Sequence, residues 1–302
     1  MKVFVTGASG HIGSVVVPEL LKAGHHVVGL ARSDQSAEML RKAGAEVYRG
    51  SLDDLDSLKT AVQAADGVIH LAFKHDLAFS GDMEGAARAD LQALEAFGEA
   101  LADTGKPLVG VDGILILAFA NLGRTGLETD VLESGPRVDA ENFVIGLARK
   151  NVRSAVVRLA PTVHGPRDNT AGFMPTFIRI ARAKGVSAYI GEGANRWPAV
   201  HELDAARLFR LALEAAPAGT RLHGVGDQGI AFKDIAETIG RQLDVPVTSI
   251  SAQDAIEHFG HLSTFAALDN PASSAATQAM LHWHPAQPGL IADLREGDYF
   301  KV

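Results

Sequence analysis

One stretch near the N-terminus constrains the fold more than any other: Val3-Phe4-Val5-Thr6-Gly7-Ala8-Ser9-Gly10-His11-Ile12-Gly13. A short apolar run leads straight into glycines at 7, 10 and 13, and an amphipathic segment follows from about Ser14 to Ala23, closed by Gly24. The pattern reads strand, tight turn, helix. Gly7 permits the turn, Gly10 leaves the backbone open to a diphosphate, and Gly13 lets the helix pack closely on the strand. The free N–H groups and positive dipole end of that helix then face the phosphates. The alternative is a tight turn that binds nothing.

Val27-Val28-Gly29-Leu30-Ala31 forms a second apolar run, followed by Arg32-Ser33. An acidic residue at this strand end would bond the ribose 2′-hydroxyl of NAD, whereas an arginine suits the 2′-phosphate of NADP. Arg32 stands there and no carboxylate does, so the sequence favours NADP(H) over NAD(H); Asp34 is the counter-signal. Helices are expected at Ala37 to Ala43, 54 to 64, Met83 to Thr104 and Ser134 to Lys150. Strands are expected at Ala45 to Arg49, Gly67 to Ala72, Pro107 to Val111 and Ser154 to Leu159. This alternation predicts an α/β fold with a doubly wound parallel sheet. His70, inside an apolar strand, reads as a satisfied core histidine.

Composition removes several classes of function. The chain has 302 residues, a net charge of −8 and no basic block, so nucleic acid is not an expected partner. It contains no cysteine, which excludes disulfides and thiolate chemistry. Its longest apolar run, Ile114 to Ala120, is too short for a membrane span. The N-terminal run reads as part of the fold and not as a signal peptide, so a cytoplasmic protein is expected. The histidines include no H-E-x-x-H pattern, and no metal is expected.

Four segments together resemble the extended and atypical short-chain dehydrogenase/reductases, the NAD-dependent epimerase/dehydratase superfamily. Thr6 to Gly13 matches that family's T-G-x-x-G-x-x-G, and Asp66-Gly67-Val68-Ile69-His70-Leu71-Ala72 its D-x-V-I-H-L-A strand. Arg158 to Pro166 resembles its R-x-x-x-V-Y-G-P element with His164 in place of tyrosine, and Trp197 to Ala206 its F-V-H-V-D-D-x-A element. The resemblance implies a Rossmann dinucleotide-binding domain over 1–165 and a smaller C-terminal α/β substrate lobe over 166–302, with some elements interleaved and the site between them. By position, Gly7, Ser9, Gly10, His11, Ile12 and Gly13 would line the diphosphate, and Arg32 and Ser33 would meet the 2′-phosphate. Ser51 and Leu52 would lie beside adenine, although the family usually has Asp where Ser51 stands. Leu71, Ala72 and Phe73 would run beneath the ribose, with Pro161 and Val163 bordering the nicotinamide. The helices over 83–104 and 134–150 are where extended members dimerise, so a homodimer is an implied partner state.

The catalytic part departs from the family. Its tyrosine acid/base is followed four residues later by a lysine that lowers the phenol pKa. None of Tyr48, Tyr189 and Tyr299 has that lysine, and Glu133 and Arg137 stand where the pair belongs. Asp112 occupies the place of the family's serine or threonine; it reads either as an acid/base whose pKa burial would raise, or as a turn cap. His164 and His201 are further proton-transfer candidates. On the substrate side, Arg196 reads either as a phosphate ligand, as in nucleotide-sugar members, or as a surface ion pair. Tyr189 and Trp197 read as pocket walls or as core. The leading expectation is an NADP(H)-dependent oxidoreductase acting on the carbonyl or hydroxyl of a small organic substrate through a non-standard proton-transfer group. A non-catalytic NADP(H)-sensing or regulatory protein is the alternative, and a sugar-nucleotide epimerase or dehydratase a weaker one.

Overall fold

The structure, a computed structural model, describes residues 1–168 and 172–300. Its strands in chain order are β1 (Lys2–Thr6), β2 (His26–Ala31), β3 (Glu46–Arg49), β4 (Gly67–His70), β5 (Pro107–Gly113), β6 (Arg153–Leu159), β7 (Thr162–His164), β8 (Ser187–Ile190), β9 (Arg196–His201), β10 (Thr220–Gly224), β11 (Asp227–Ala231) and β12 (Val247–Ile250). The helices that matter below are α1 (Gly13–Lys22), α2 (Asp34–Lys42), α3 (Leu55–Gln63), α4 (His75–Phe79), α5 (Met83–Leu101), α6 (Leu115–Phe119), α7 (Val138–Gly146), α8 (Phe173–Lys184) and α9 (Glu202–Ala215).

Seven strands form the central sheet in the order β10-β6-β5-β4-β1-β2-β3, every neighbouring pair parallel. The chain winds outward from β1 in both directions: Phe4 pairs with Val28 of β2 on one side and with Val68 of β4 on the other. That reversal opens a crevice beyond the carboxyl ends of β1 and β4, where ligands bind in such sheets. Alternate residues of β1 feed opposite faces, and both faces are covered, which is why the strand is apolar throughout. Val3 and Val5 pack with Val16 and Leu20 of α1 and Leu208 and Leu213 of α9. Phe4 packs with Leu58 and Val62 of α3, Leu94 and Phe97 of α5 and Val144 of α7.

The second layer holds two small sheets, β11-β9-β7 and β12-β8. Its core is aromatic. Trp197 is fully buried and meets Phe173 edge-on at 5.0 Å, with Phe177 and Phe232 each at 5.6 Å. Trp197 is therefore a core residue and not a pocket wall.

Two expected helices are shorter than the periodicity suggested. The first ends at Leu101, before Asp103 takes a positive φ, and the second begins only at Val138 and tightens into a 3-10 turn over Leu147–Lys150. β10, from beyond residue 165, completes the central sheet beside β6, so the two halves of the chain interleave. Among the described residues, no helix is long and apolar enough to cross a membrane.

Candidate active site

The three glycines of the first turn have different reasons to be glycine. Gly7 has φ +64, and a Cβ there would lie 2.7 Å from the backbone N of Ala72 and the carbonyl carbon of Leu71. A Cβ on Gly13 would lie 2.2 Å from the Gly7 carbonyl oxygen. The chain itself demands these two. At Gly10 the nearest atom is the Gly7 oxygen at 3.3 Å, and the residue is exposed on the cleft side. α1 begins at Ile12 without a side-chain cap and without an acidic residue in its first turn. Its N-terminus thus keeps its dipole end for an anion.

The turn floors a cleft of about 620 Å³ at the switch point. Gly7, Ser9, Gly10, His11, Ile12 and Gly13 line it. So do Arg32, Ser51, Leu52, Leu71, Ala72 and Phe73. Ser33 does not. Its hydroxyl caps α2 by accepting from the Ser36 amide, and Ser36 lines the cleft instead. Pro161 and Val163 also fall outside the lining, and Val163 packs against the main core. Asp34 ion-pairs with Arg49 at 3.0 Å and does not line the cleft, while Arg32 projects with its side chain 75% exposed, 4.0 Å from Asp76. Lys74 ion-pairs with Asp53 across the same end. The volume, the open backbone at Gly10 and the cation at the β2 end fit a dinucleotide.

A buried polar chain runs beneath the cleft from β1 to β5. The Thr6 hydroxyl meets His70 Nδ1 at 2.7 Å, and His70 Nε2 meets Asp90 at 2.9 Å. Asp90 lies 3.6 Å from Arg137, which donates from Nε to Asp112 at 3.1 Å and from Nη2 to the Val111 carbonyl at 2.8 Å. Both nitrogens of His70 are engaged, so it is the satisfied core histidine expected. Asp112 is 4% exposed and absent from the cleft lining; its Oδ1 is held by Arg137 and its Oδ2 has no protein partner. Burial raises its carboxyl above the usual range, opposed by the Arg137 charge. Asp112 is thus an ion-pair partner rather than a cleft-facing acid.

Arg137 in turn lies 4.2 Å over the ring of Phe73, a cleft wall. On the other side, Phe73 meets His75 edge-on at 5.2 Å. His75 lines the cleft, and desolvation followed by the Arg137 charge pulls its pKa below the ordinary histidine value. Sequence reasoning missed it, because its only signal is a place shortly after the H-L-A strand.

His164 is buried, with Nδ1 2.8 Å from Asp293, and does not line the cleft. His201 accepts the Leu203 amide and caps α9, and burial lowers its pKa. A second polar cluster beside them was not foreseen. Tyr299 donates to Asp168 at 2.9 Å and accepts from the Gly165 amide, while Glu202, 3.4 Å from His11, accepts the Arg167 amide. Burial pushes Asp168 up to about 6. A carboxyl raised in the folded state adds stability that is full below its unfolded value of 3.8 and lost as pH rises through 6. Asp168→Asn removes that loss. The variant should match the wild type near pH 4 and exceed it by about 3 kcal/mol near pH 8 in urea titrations. A gap independent of pH would remove the carboxyl as its source.

On the substrate side, Arg196 is held by both oxygens of Asp269, at 3.0 and 2.7 Å, which makes it an ion pair and not a free phosphate ligand. Tyr189 packs half-buried against the second core, with Lys233 5.6 Å from its ring.

The NmrA-like family model matches residues 1–88, the glycine turn and the first four strands. A Schizosaccharomyces pombe protein of uncharacterised function is 47% identical over 99% of this chain and all of its own length. The decarboxylating sterol-4-alpha-carboxylate 3-dehydrogenase of Dictyostelium discoideum is 26% identical over 76% of this chain and 73% of that one. The UDP-glucuronic acid 4-epimerase of Bacillus cereus, solved with NAD, superposes with a TM-score of 0.76 at 18% identity, covering all of this chain and 99% of the other. The chain is a full-length relative of the Schizosaccharomyces pombe protein and shares its Rossmann-type fold with the epimerase. Arg137, bonded to Asp112, stands in the segment where the resemblance led one to expect the tyrosine–lysine pair.

Proposed function

We propose that this protein is a short-chain dehydrogenase/reductase that binds NADP(H) in the 620 Å³ cleft and interconverts the carbonyl and hydroxyl forms of a small organic molecule. The observation that carries the reading is the cleft itself, with an uncapped helix N-terminus and open Gly10 at its floor and Arg32 and Ser36 at the β2 end. Gly7 to Gly13 hold the diphosphate, and Arg32 and Ser36 take the 2′-phosphate. The bound nicotinamide supplies or accepts hydride. Phe73, braced by Arg137 and lining the cleft, would run beneath the cofactor's ribose. His75, which lines the same cleft, would take the proton of an alcohol substrate as a base and, once protonated, would return it to a carbonyl oxygen in the reverse direction, the role left open by the missing tyrosine.

The decisive experiment is calorimetric titration of Arg32→Ala. Affinity for NADPH should fall about tenfold or more with the loss of a charge-assisted contact, while affinity for NADH is unchanged. An equal loss for both cofactors would refute the 2′-phosphate assignment. A second reading, a dinucleotide sensor without chemistry, is favoured by one observation: Arg137 is locked onto Asp112 in the segment where the family's acid/base pair belongs. Equal affinity for oxidised and reduced cofactor, with no turnover of any carbonyl compound, would decide for it.

A further inference from the structure

We propose that the substrate side of the cleft takes an uncharged carbonyl compound bearing an aromatic ring, laid against Phe119, Phe265 and Phe173, and rejects nucleotide sugars. The proposal rests on the cleft being the cofactor site, because it names the substrate class of that same site.

Three phenyl rings form a row that ends at the buried Trp197. Phe119 meets Phe265 at 6.2 Å, Phe265 meets Phe173 at 5.4 Å, and Phe173 meets Trp197 at 5.0 Å. The row reaches the site along the chain at its Phe173 end. Phe119 closes α6, the helix that follows β5 and Asp112, while Phe173 opens α8 directly after Gly172, which lines the cleft. Phe119 is 58% exposed, and Phe173 and Phe265 are half-buried. A flat apolar ring stacked there would displace water from Phe119 and complete an edge-to-face series already set by the core.

Charge argues in the same direction. Arg196 is neutralised by Asp269, Arg124 is held by both oxygens of Asp130 at 2.8 and 2.6 Å, and Arg137 is shared between Asp112 and Asp90. A diphosphate placed at any of these three arginines would have to break its ion pair to gain the cation. The chain also occupies the space beside Arg196 with its own backbone. Asn195 donates to the Ala266 and Leu268 carbonyls, the Asn270 amide donates to the Arg196 carbonyl, and the Gly126 amide donates to that of Pro271. These bonds fix the 265–271 segment and hold Phe265 between its neighbours. In the reaction, hydride from the reduced cofactor would reach the carbonyl carbon, the C=O π pair would move to oxygen, and oxygen would take one proton delivered from solvent through protonated His75. An alcohol and the oxidised cofactor leave.

The test reads binding to the cofactor-free protein by saturation-transfer NMR, with naphthylmethanol and UDP-glucose at equal concentration. The aromatic alcohol should receive saturation and UDP-glucose none. Phe119→Ala and Phe265→Leu should each weaken the alcohol by about fivefold, the size of one lost aromatic contact. Phe119 is exposed enough for its variant to keep the wild-type circular dichroism. UDP-glucose binding at least as well as the alcohol overturns the proposal, as does alcohol binding unchanged in both variants. NADPH is titrated into the same samples. If NADPH binds and the alcohol does not, the substrate assignment alone fails; if the alcohol binds in the phenylalanine row and NADPH does not bind, the cofactor reading alone fails.

Discussion

Arg137→Met should lower the free energy of unfolding by about 3–5 kcal/mol at pH 8, the penalty for leaving buried carboxylates without their counter-charge. Asp90 and Asp112 are each 4% exposed, and both lie within ion-pair distance of this one guanidinium. Methionine retains much of the aliphatic volume against Phe73 but none of the charge. The deficit must shrink with acid. Without Arg137, the folded-state pKa of Asp112, already raised by burial, moves further above its unfolded value. Its stabilisation is then full below the unfolded value and lost as pH rises through the folded one. Chemical denaturation at pH 4.5 and pH 8 should therefore give a small gap and a large one. Equal gaps would show that the damage is a packing defect. Arg137→Lys is expected to recover only part of the loss, because an ammonium cannot present the same fork to Asp112 and Val111 or lie flat on Phe73.

The glycines of the first turn should separate folding from binding. In Gly13→Ala the new methyl would sit 2.2 Å from the Gly7 oxygen and 2.6 Å from two backbone atoms of Ala8. No rotamer relieves a clash with backbone, so the turn must rebuild, with an expected loss above about 3 kcal/mol and a lowered thermal midpoint. In Gly10→Ala the single close atom is the Gly7 oxygen at 3.3 Å, which a small shift relieves. Its stability should change by less than about 1 kcal/mol, while NADPH affinity falls by about two orders of magnitude as the methyl occupies the diphosphate's path. Parallel thermal and calorimetric titrations read both effects. Wild-type affinity in Gly10→Ala would refute the cradle.

What was legible in the sequence was whatever is local. The strands of the parallel sheet, the turn over Gly7 to Gly13 and the burial of His70 all follow from neighbours within a few residues, and the structure agrees with them. The fate of Arg196, Trp197 and Asp112 was not legible, because each is decided by a distant partner. Asp269 is far along the chain from Arg196, and the rings that bury Trp197 come from α8 and from Phe232. A motif names a position but not the residue that reaches it. Glu133 and Arg137 stood in the expected segment, yet only the folded chain shows that Arg137 turns to Asp112 and Phe73. The Asp168–Tyr299 pair was invisible for the same reason, since its bond joins residues 131 apart.

The position of β10 bears on how the molecule is made. This strand pairs with β6 from Ala155 to Leu159, and Arg221 upon it joins Arg158 of β6 on the same carboxylate, Glu141. A ribosome finishes β6 long before it reaches Thr220. During that interval, a nascent chain that has already assembled six strands carries β6 as a bare sheet edge, a form open to pairing with a neighbouring copy. Completion of the central sheet thus waits on synthesis of the chain between these two strands, and an interruption before Gly224 would release a sticky intermediate rather than a smaller folded protein.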